Sequence, residues 1–330
     1  MPLVAQSRNN PIQPAATGPA GALHQFSFSA LGTNCEVQFD APGGQEQAGE
    51  FKRRAIAWVE SFEAKFSRFR PGSLLSRINA AAGREWVEVD GEMEMQFELC
   101  DTLYFMTQGI LDPTALPLLG LWNWKAEKPS IPAAGCISDA LRLVGWPKVL
   151  RKPGLVFLPE SGMGLDFGGF GKEFAVDRVA QIAAECGLAN VLVDFGHDIR
   201  ALGAPPGRPA WHIGLEDPEK PGRAWASTAL SGGRGIASSG DYLRSFTHDG
   251  RRYGHIVDPR TGWPVCNGCT QATVIASTCL QAGVLSTTAF VLGVTKGIEF
   301  IQACPGAEGI LLAGRTRAQT RGFYNYVVEN

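Results

Sequence analysis

An α+β fold is what this sequence predicts, and three observations predict it. "HQFSFSALGTNCEVQFD", residues 24–40, alternates apolar and polar positions on either side of Gly32, the pattern of two short strands and a turn. From about Gln45 to Phe66, a stretch that includes "AIAWVESFEAKF", apolar residues recur at helical spacing. Further along, strand-like and helix-like runs mix without the regular strand–helix–strand repeat of a doubly wound sheet.

Composition agrees with a packed core. The 330 residues are 45% hydrophobic and 19% charged, enough for one large domain or two of ordinary size. A net charge of −2 gives no global field to attract nucleic acid or an anionic membrane, so positive charge for an anionic ligand must be local. Residues 1–23, rich in Pro, Ala, Gly and Asn, read as a disordered leader without a secretory pattern, ahead of a domain over 24–330 that could comprise two intertwined α+β subdomains. No run is apolar enough to span a bilayer, so a cytoplasmic protein with reduced thiols is expected. Cys266 and Cys269 have CxxC spacing, but no second pair completes a zinc set and the pair reads as an ordinary turn.

The remaining elements follow in order. "SRFRPGSLLSRIN" (67–79) reads as a basic loop with Arg68, Arg70 and Arg77, and a helix is expected over about 92–108, ending near Gly109. "LDPTALPLLGLWNW" (111–124) is turn-rich and aromatic, a loop packed against something. "GLDFGGFGKEFAVD" (164–177) predicts a short strand, a glycine turn and a long helix, and "NVLVDFGHDIRALG" (190–203) a buried strand entering another glycine turn. "AWHIGLEDP", "RGIASSGDYLRSF" and "CTQATVIA" add strands, "LQAGVLSTTAFVLGV" an apolar helix, and "GILLAG" and "GFYNYVVEN" closing strands.

Four stretches carry candidate chemistry. Gly168, Gly169 and Gly171 before a helix would expose backbone N–H groups to an anion, with Lys172 adding charge, though a plain strand–helix turn uses the same glycines. His197 and Asp198 follow a buried strand, where either a ligand contact or a satisfied turn fits. Ser238, Ser239 and Asp241 surround Gly240, and hydroxyls with a carboxylate suit a phosphate or sugar as well as a turn. "RRYGHIVDPRTGWPV" (251–265) is densest. His255 could act as acid or base near neutral pH; Asp258 could orient it, take a proton or bind a metal; Arg260 could hold a phosphate or pair with Asp258.

Taken in order, "LGTNCEV", "FSRFRPGSLLSRIN", "LDPTALPLLGLWNW", "GLDFGGFGKEFAVD", "NVLVDFGHDI", "GIASSGDY", "GHIVDPRTGWPV" and "LSTTAFVLG" resemble the FAD:protein FMN transferases, the ApbE family. The resemblance runs from about residue 25 to the C-terminus, and "HIVDPRTG" is its most specific part. It implies a T-fold-like architecture of mixed sheets with packed helices. It also implies that FAD is bound and its FMN half moved to a threonine of an acceptor flavoprotein, with AMP released and magnesium assisting. By motif, His255 and Asp258 are then the catalytic pair. Thr33, Asp112, Thr114, Lys172, Ser239, Gly240, Asp241 and Arg260 contact FAD. The Gly171 backbone and Thr287 hold the metal. The acceptor is expected to be cytosolic, with no nucleic acid and no membrane as partner.

The sequence departs from the family pattern at four places in these motifs, one of them Ser238 where the resemblance puts a threonine before Ser239-Gly240-Asp241. Gly283 stands where the resemblance puts a metal-binding aspartate, Lys172-Glu173 replaces Lys-Gly, and Gly196-His197-Asp198 replaces Gly-Gly-Asp. One reading is a rebuilt metal site in which Glu173, His197 or Asp198 makes up for Gly283. The other is a fold that has lost magnesium-dependent transfer and uses the pocket for another small-molecule reaction or as a flavin-binding module.

Overall fold

A computed structural model describes residues 23–220 and 222–328. Of the leader expected over 1–23, only Leu23 is described, packed against an outer apolar cluster.

One eight-stranded sheet organises the chain. Its strands are β1 (His24–Ala30), β2 (Thr33–Phe39), β3 (Val191–Phe195), β4 (Asp198–Leu202), β5 (Arg234–Gly240), β6 (Gln271–Ala276), β7 (Glu308–Ala313) and β8 (Thr316–Gln319). Their order across the sheet is their order in the chain, and every pairing is antiparallel. Two of the turns are alike: Leu31-Gly32 and Gly196-His197 each place two successive residues at positive φ, which matches the twist of a two-residue hairpin.

The helices are α1 (Gly44–Phe66), α2 (Leu74–Ala80), α3 (Gly91–Met106), α4 (Leu116–Leu121), α5 (Ala134–Leu143), α6 (Gly171–Glu185), α7 (Cys279–Leu292) and α8 (Val294–Gln302). Buried Ala48, Phe51, Ala55, Val59, Phe62 and Phe66 recur three or four residues apart on α1, so one stripe faces the core. Phe51 meets Phe26 and Phe39 edge-on there, and α6 contributes Val176, Val179 and Ala183 to the same cluster. Burying each such Phe contributes about 1.5–3 kcal/mol. Beneath β5, β6 and β7, α7 and α8 close a second cluster around Leu285, Phe290, Ile301 and Leu311. The opposite face is covered by the small sheet of Trp211–Glu216, Ala224–Leu230 and Val327–Val328, through Trp211 and Leu230, with Phe323 from the turn that precedes its last strand.

Strands β1, β2, β3, β5, β6 and β7 of the main sheet and helices α1, α3, α6 and α7 fall where the sequence reading expects them, whereas β4, β8, α5 and α8 form where it expected no such element. Other details differ too. The basic loop contains α2, started by Ser73, whose hydroxyl accepts from the Ser76 N–H. The aromatic loop contains α4. No strand forms over 164–168, where Asn79 holds the extended chain by bonding both N–H and C=O of Leu165. The last stretch is a 3-10 turn (Phe323–Tyr326) and a two-residue strand. Cys266 is exposed and Cys269 buried, and all eight cysteines are free.

Candidate active site

The contact of α6 with α7 sets the first part of the site. The Asp177 carboxylate accepts the N–H groups of Cys279 and Leu280 at 2.9 and 2.8 Å, capping α7 from the flank of α6. The helices run antiparallel here, so one turn back on α6 faces one turn forward on α7. That step brings Glu173 onto Gly283. A Cβ on Gly283 would lie 2.6 Å from Glu173 Cγ, so the glutamate side chain occupies the space a larger residue would need.

Lys172, beside it, forms an ion pair with Asp198, which is 5% exposed at the start of β4. Burial pulls the Lys172 ammonium down, but Asp198 and Glu173 outweigh it and hold it above its ordinary value. Burial and the nearby Asp198 charge raise Glu173 well above the usual carboxylate range. Its Oε2 is buried and has no hydrogen-bond partner. His197 goes elsewhere. Its positive φ turns it outward, its ring is exposed, and its N–H donates to Asp194. Thr33 packs on the same turn, with Oγ1 2.3 Å from where a Cβ on Gly196 would sit, so only glycine fits there. Thr33 also lines a shallow cavity of about 400 Å³ with Ser29, Ala30, Gly32 and Glu63.

The end of β5 joins this cluster to the next. Ser239 Oγ lies 2.9 Å from Ser286 Oγ and 2.8 Å from Thr287 Oγ1, both on α7. Gly240 has backbone too near for a side chain, with Thr270 O 2.8 Å from its ideal Cβ. Asp241, 5% exposed, accepts from Arg252 at 2.8 Å and backs onto Gly254, whose added Cβ would meet it at 2.5 Å. Burial raises the Asp241 carboxyl despite Arg252.

His255 follows directly. Its N–H donates to Arg244 O at 2.9 Å and its ring lies 6.2 Å from that of Trp124. Burial, with the Arg244 and Lys172 charges, pushes the imidazole down to about 4, so it is neutral at physiological pH. Its Nδ1 is buried without a hydrogen-bond partner. Asp258 turns to Arg260: Oδ1 accepts from Arg260 N and Nε at 3.0 and 2.9 Å, and Oδ2 from Nη2 at 2.8 Å. Of the two pairings open in the sequence, the structure forms the carboxylate–guanidinium clamp.

Asp112 and Thr114 are held among protein groups. Asp112 accepts from Thr114 N and Oγ1 and from Trp146 N, while fully buried Thr114 accepts from Gly145 N at 2.7 Å. They lock the aromatic loop to the Gly145-Trp146 turn. Sequence reasoning missed Trp124 as the ring beside His255. Its signal was the Trp122-Asn123-Trp124 run, which resembles any packed aromatic loop.

Among the described residues, no group of three or more His, Cys, Asp or Glu side chains is arranged to hold a metal ion. A magnesium ion asks less, since it keeps several waters and needs one or two carboxylates. The unpartnered Glu173 Oε2, with the Ser239 and Thr287 hydroxyls on neighbouring elements, fits that lighter demand. No helix among the described residues is long and apolar enough to cross a membrane.

Fold and cluster together define an α+β protein in which the neutral His255 imidazole lies within the field of the Lys172 ammonium, itself paired with Asp198. The chain matches the sequence profile of the ApbE family over residues 31–311. It is 28% identical over 312 residues to the FAD:protein FMN transferase of Treponema pallidum, covering 89% of this chain and 86% of that one. Its fold superposes on the ApbE protein of Thermotoga maritima with a TM-score of 0.83 at 29% identity, covering 93% of this chain and 100% of that one. Against the flavinyl transferase ApbE of Pseudomonas stutzeri the TM-score is 0.80 at 26% identity, covering 94% and 98%. The chain belongs to the ApbE family.

Proposed function

We propose that this chain moves the FMN half of FAD onto a threonine hydroxyl of an acceptor protein and releases AMP. The observation that carries the reading is His255, neutral and half-buried, with Nδ1 unpartnered and the Lys172 charge nearby. A base for a hydroxyl proton must be unprotonated at working pH and free at one nitrogen, and His255 meets both conditions.

On this reading the acceptor oxygen attacks the FMN phosphorus. A new P–O bond forms to the threonine as the bond to the bridging pyrophosphate oxygen breaks, and AMP leaves with that electron pair. The hydroxyl proton passes to the His255 imidazole. Lys172, kept charged by Asp198, offsets the phosphate charge. Arg260, braced by Asp258, presents a fixed guanidinium to the nucleotide. Ser239, Gly240, Asp241 and Thr33 border the flavin nucleotide, and Asp112 and Thr114 shape its wall through the Gly145-Trp146 turn. Glu173, Thr287 and the Gly171 backbone are the oxygens available to magnesium, which when bound neutralises charge on the phosphates.

Incubating the protein with FAD and magnesium or manganese, with and without a threonine-bearing acceptor peptide, tests the proposal. AMP release that needs the metal, and that His255→Ala lowers by about 10²–10⁴-fold, is the expected result. FAD bound tightly with no AMP under either metal sinks it.

A further inference from the structure

Glu173 and Gly283 share one volume across the α6–α7 contact. A Cβ on Gly283 would come within 2.6 Å of Glu173 Cγ and 3.0 Å of its Oε1, so the two positions cannot both carry a large side chain as they stand. Glu173 Oε2 is enclosed and has no partner among the described residues. An enclosed carboxylate oxygen without a donor calls for a proton or a cation. The adjacent cation, Lys172, is engaged by Asp198.

One turn beyond Gly283 on the same helical face stands Thr287, its hydroxyl 2.8 Å from that of Ser239. A carboxylate and hydroxyls on neighbouring elements form the hard-oxygen set that a magnesium-like ion accepts, with water completing the shell. The resemblance puts glycine at 173 and an acid at 283, and this chain has the reverse.

We infer that the site's acidic cation ligand has crossed from α7 to α6, so that Glu173, in the space Gly283 leaves, supplies the carboxylate to a divalent cation. The two substitutions are then one reciprocal exchange, each requiring the other. This deepens the transferase reading and rests on it for the cation's purpose, although not for its binding.

The test is Mn²⁺ alone, titrated into the FAD-free full-length protein and followed by electron paramagnetic resonance. One Mn²⁺ should bind the wild type. Glu173→Gln, which keeps the side chain's shape, should weaken it by more than the roughly 10–100-fold that loss of an outer-shell partner costs. Glu173→Gly should weaken it likewise, and the double exchange Glu173→Gly with Gly283→Asp should recover most of that loss. Circular dichroism confirms that each variant is folded. A wild type that takes up no Mn²⁺, an unchanged affinity in Glu173→Gln, or a double exchange no better than Glu173→Gly overturns the inference. Mn²⁺ held through Glu173 with no AMP made from FAD sinks the transferase reading and leaves this one standing.

Discussion

Asp258 is gripped by Arg260, two residues away, through three hydrogen bonds of 2.8 to 3.0 Å that occupy both carboxylate oxygens. The carboxylate therefore spends its acceptors on the turn, while His255, three residues earlier, keeps a buried Nδ1 without a hydrogen-bond partner. The proposed division of labour is a base at His255 and a positioning role at Asp258. Asp258→Asn should raise KM for FAD more than it lowers kcat, whereas His255→Ala should act mainly on kcat. Steady-state kinetics on both variants decides, and an equal kcat collapse in the two would make Asp258 part of the proton-transfer unit.

The imidazole of His255 has a pH signature. Its folded value is about 4 against an ordinary 6.5, so between those pH values the unfolded chain takes a proton that the folded chain refuses. Protons then favour unfolding. The stability tied to this site is full above pH 6.5 and falls as pH drops toward 4, by on the order of 3 kcal/mol. Urea unfolding of wild type and His255→Gln across that range should show the difference shrinking in the variant. A His255 ring titrating near 6.5 by NMR would contradict the burial that the argument rests on.

Lys172 and Asp198 form an ion pair whose side chains are 27% and 7% exposed. Removing one partner strands the other charge beside Glu173. Lys172→Met should cost about 3–5 kcal/mol, and adding Asp198→Asn should return much of it, because the uncompensated charge then disappears. A double-mutant cycle by chemical denaturation reads the coupling directly, and additive losses would show that the pair is not coupled.

Gly235 lies where β5 passes closest to the start of α7. A Cβ there would stand 2.3 Å from Cys279 N and from Thr278 C, backbone atoms that cannot swing aside. Gly235→Ala should destabilise the protein by about 3 kcal/mol or more and separate Ser239 from Thr287. Gly120→Ala, with nothing within 4 Å of the added atom, is the control expected to stay near wild type in Tm.

Much of the site was legible as residue types in order, because its motifs are short and local. Lys172, Ser239, Asp241, His255 and Thr287 each sit in a stretch whose glycines or turn residues mark a close approach. His197 was legible in the same way and proved misleading, since the two-residue hairpin turn that needs positive φ also points its ring outward. Helices α2 and α4 hid inside sequences that look like loops. Each is short, with Ser73 starting one and proline opening the other, and apolar periodicity has too few turns there to register.

The sequence by itself determined the α+β class, most strands of the main sheet, the long helices and the family. All of these rest on patterns repeated every two to four residues or on motifs read in a line. Only the tertiary structure decided which charges meet. Glu173 finds Gly283 because Asp177 sets the register of α6 against α7, and His255 loses its proton because its neighbours bury it beside two cations. Register between distant helices and desolvation are properties of the packed chain, and no local spacing encodes them.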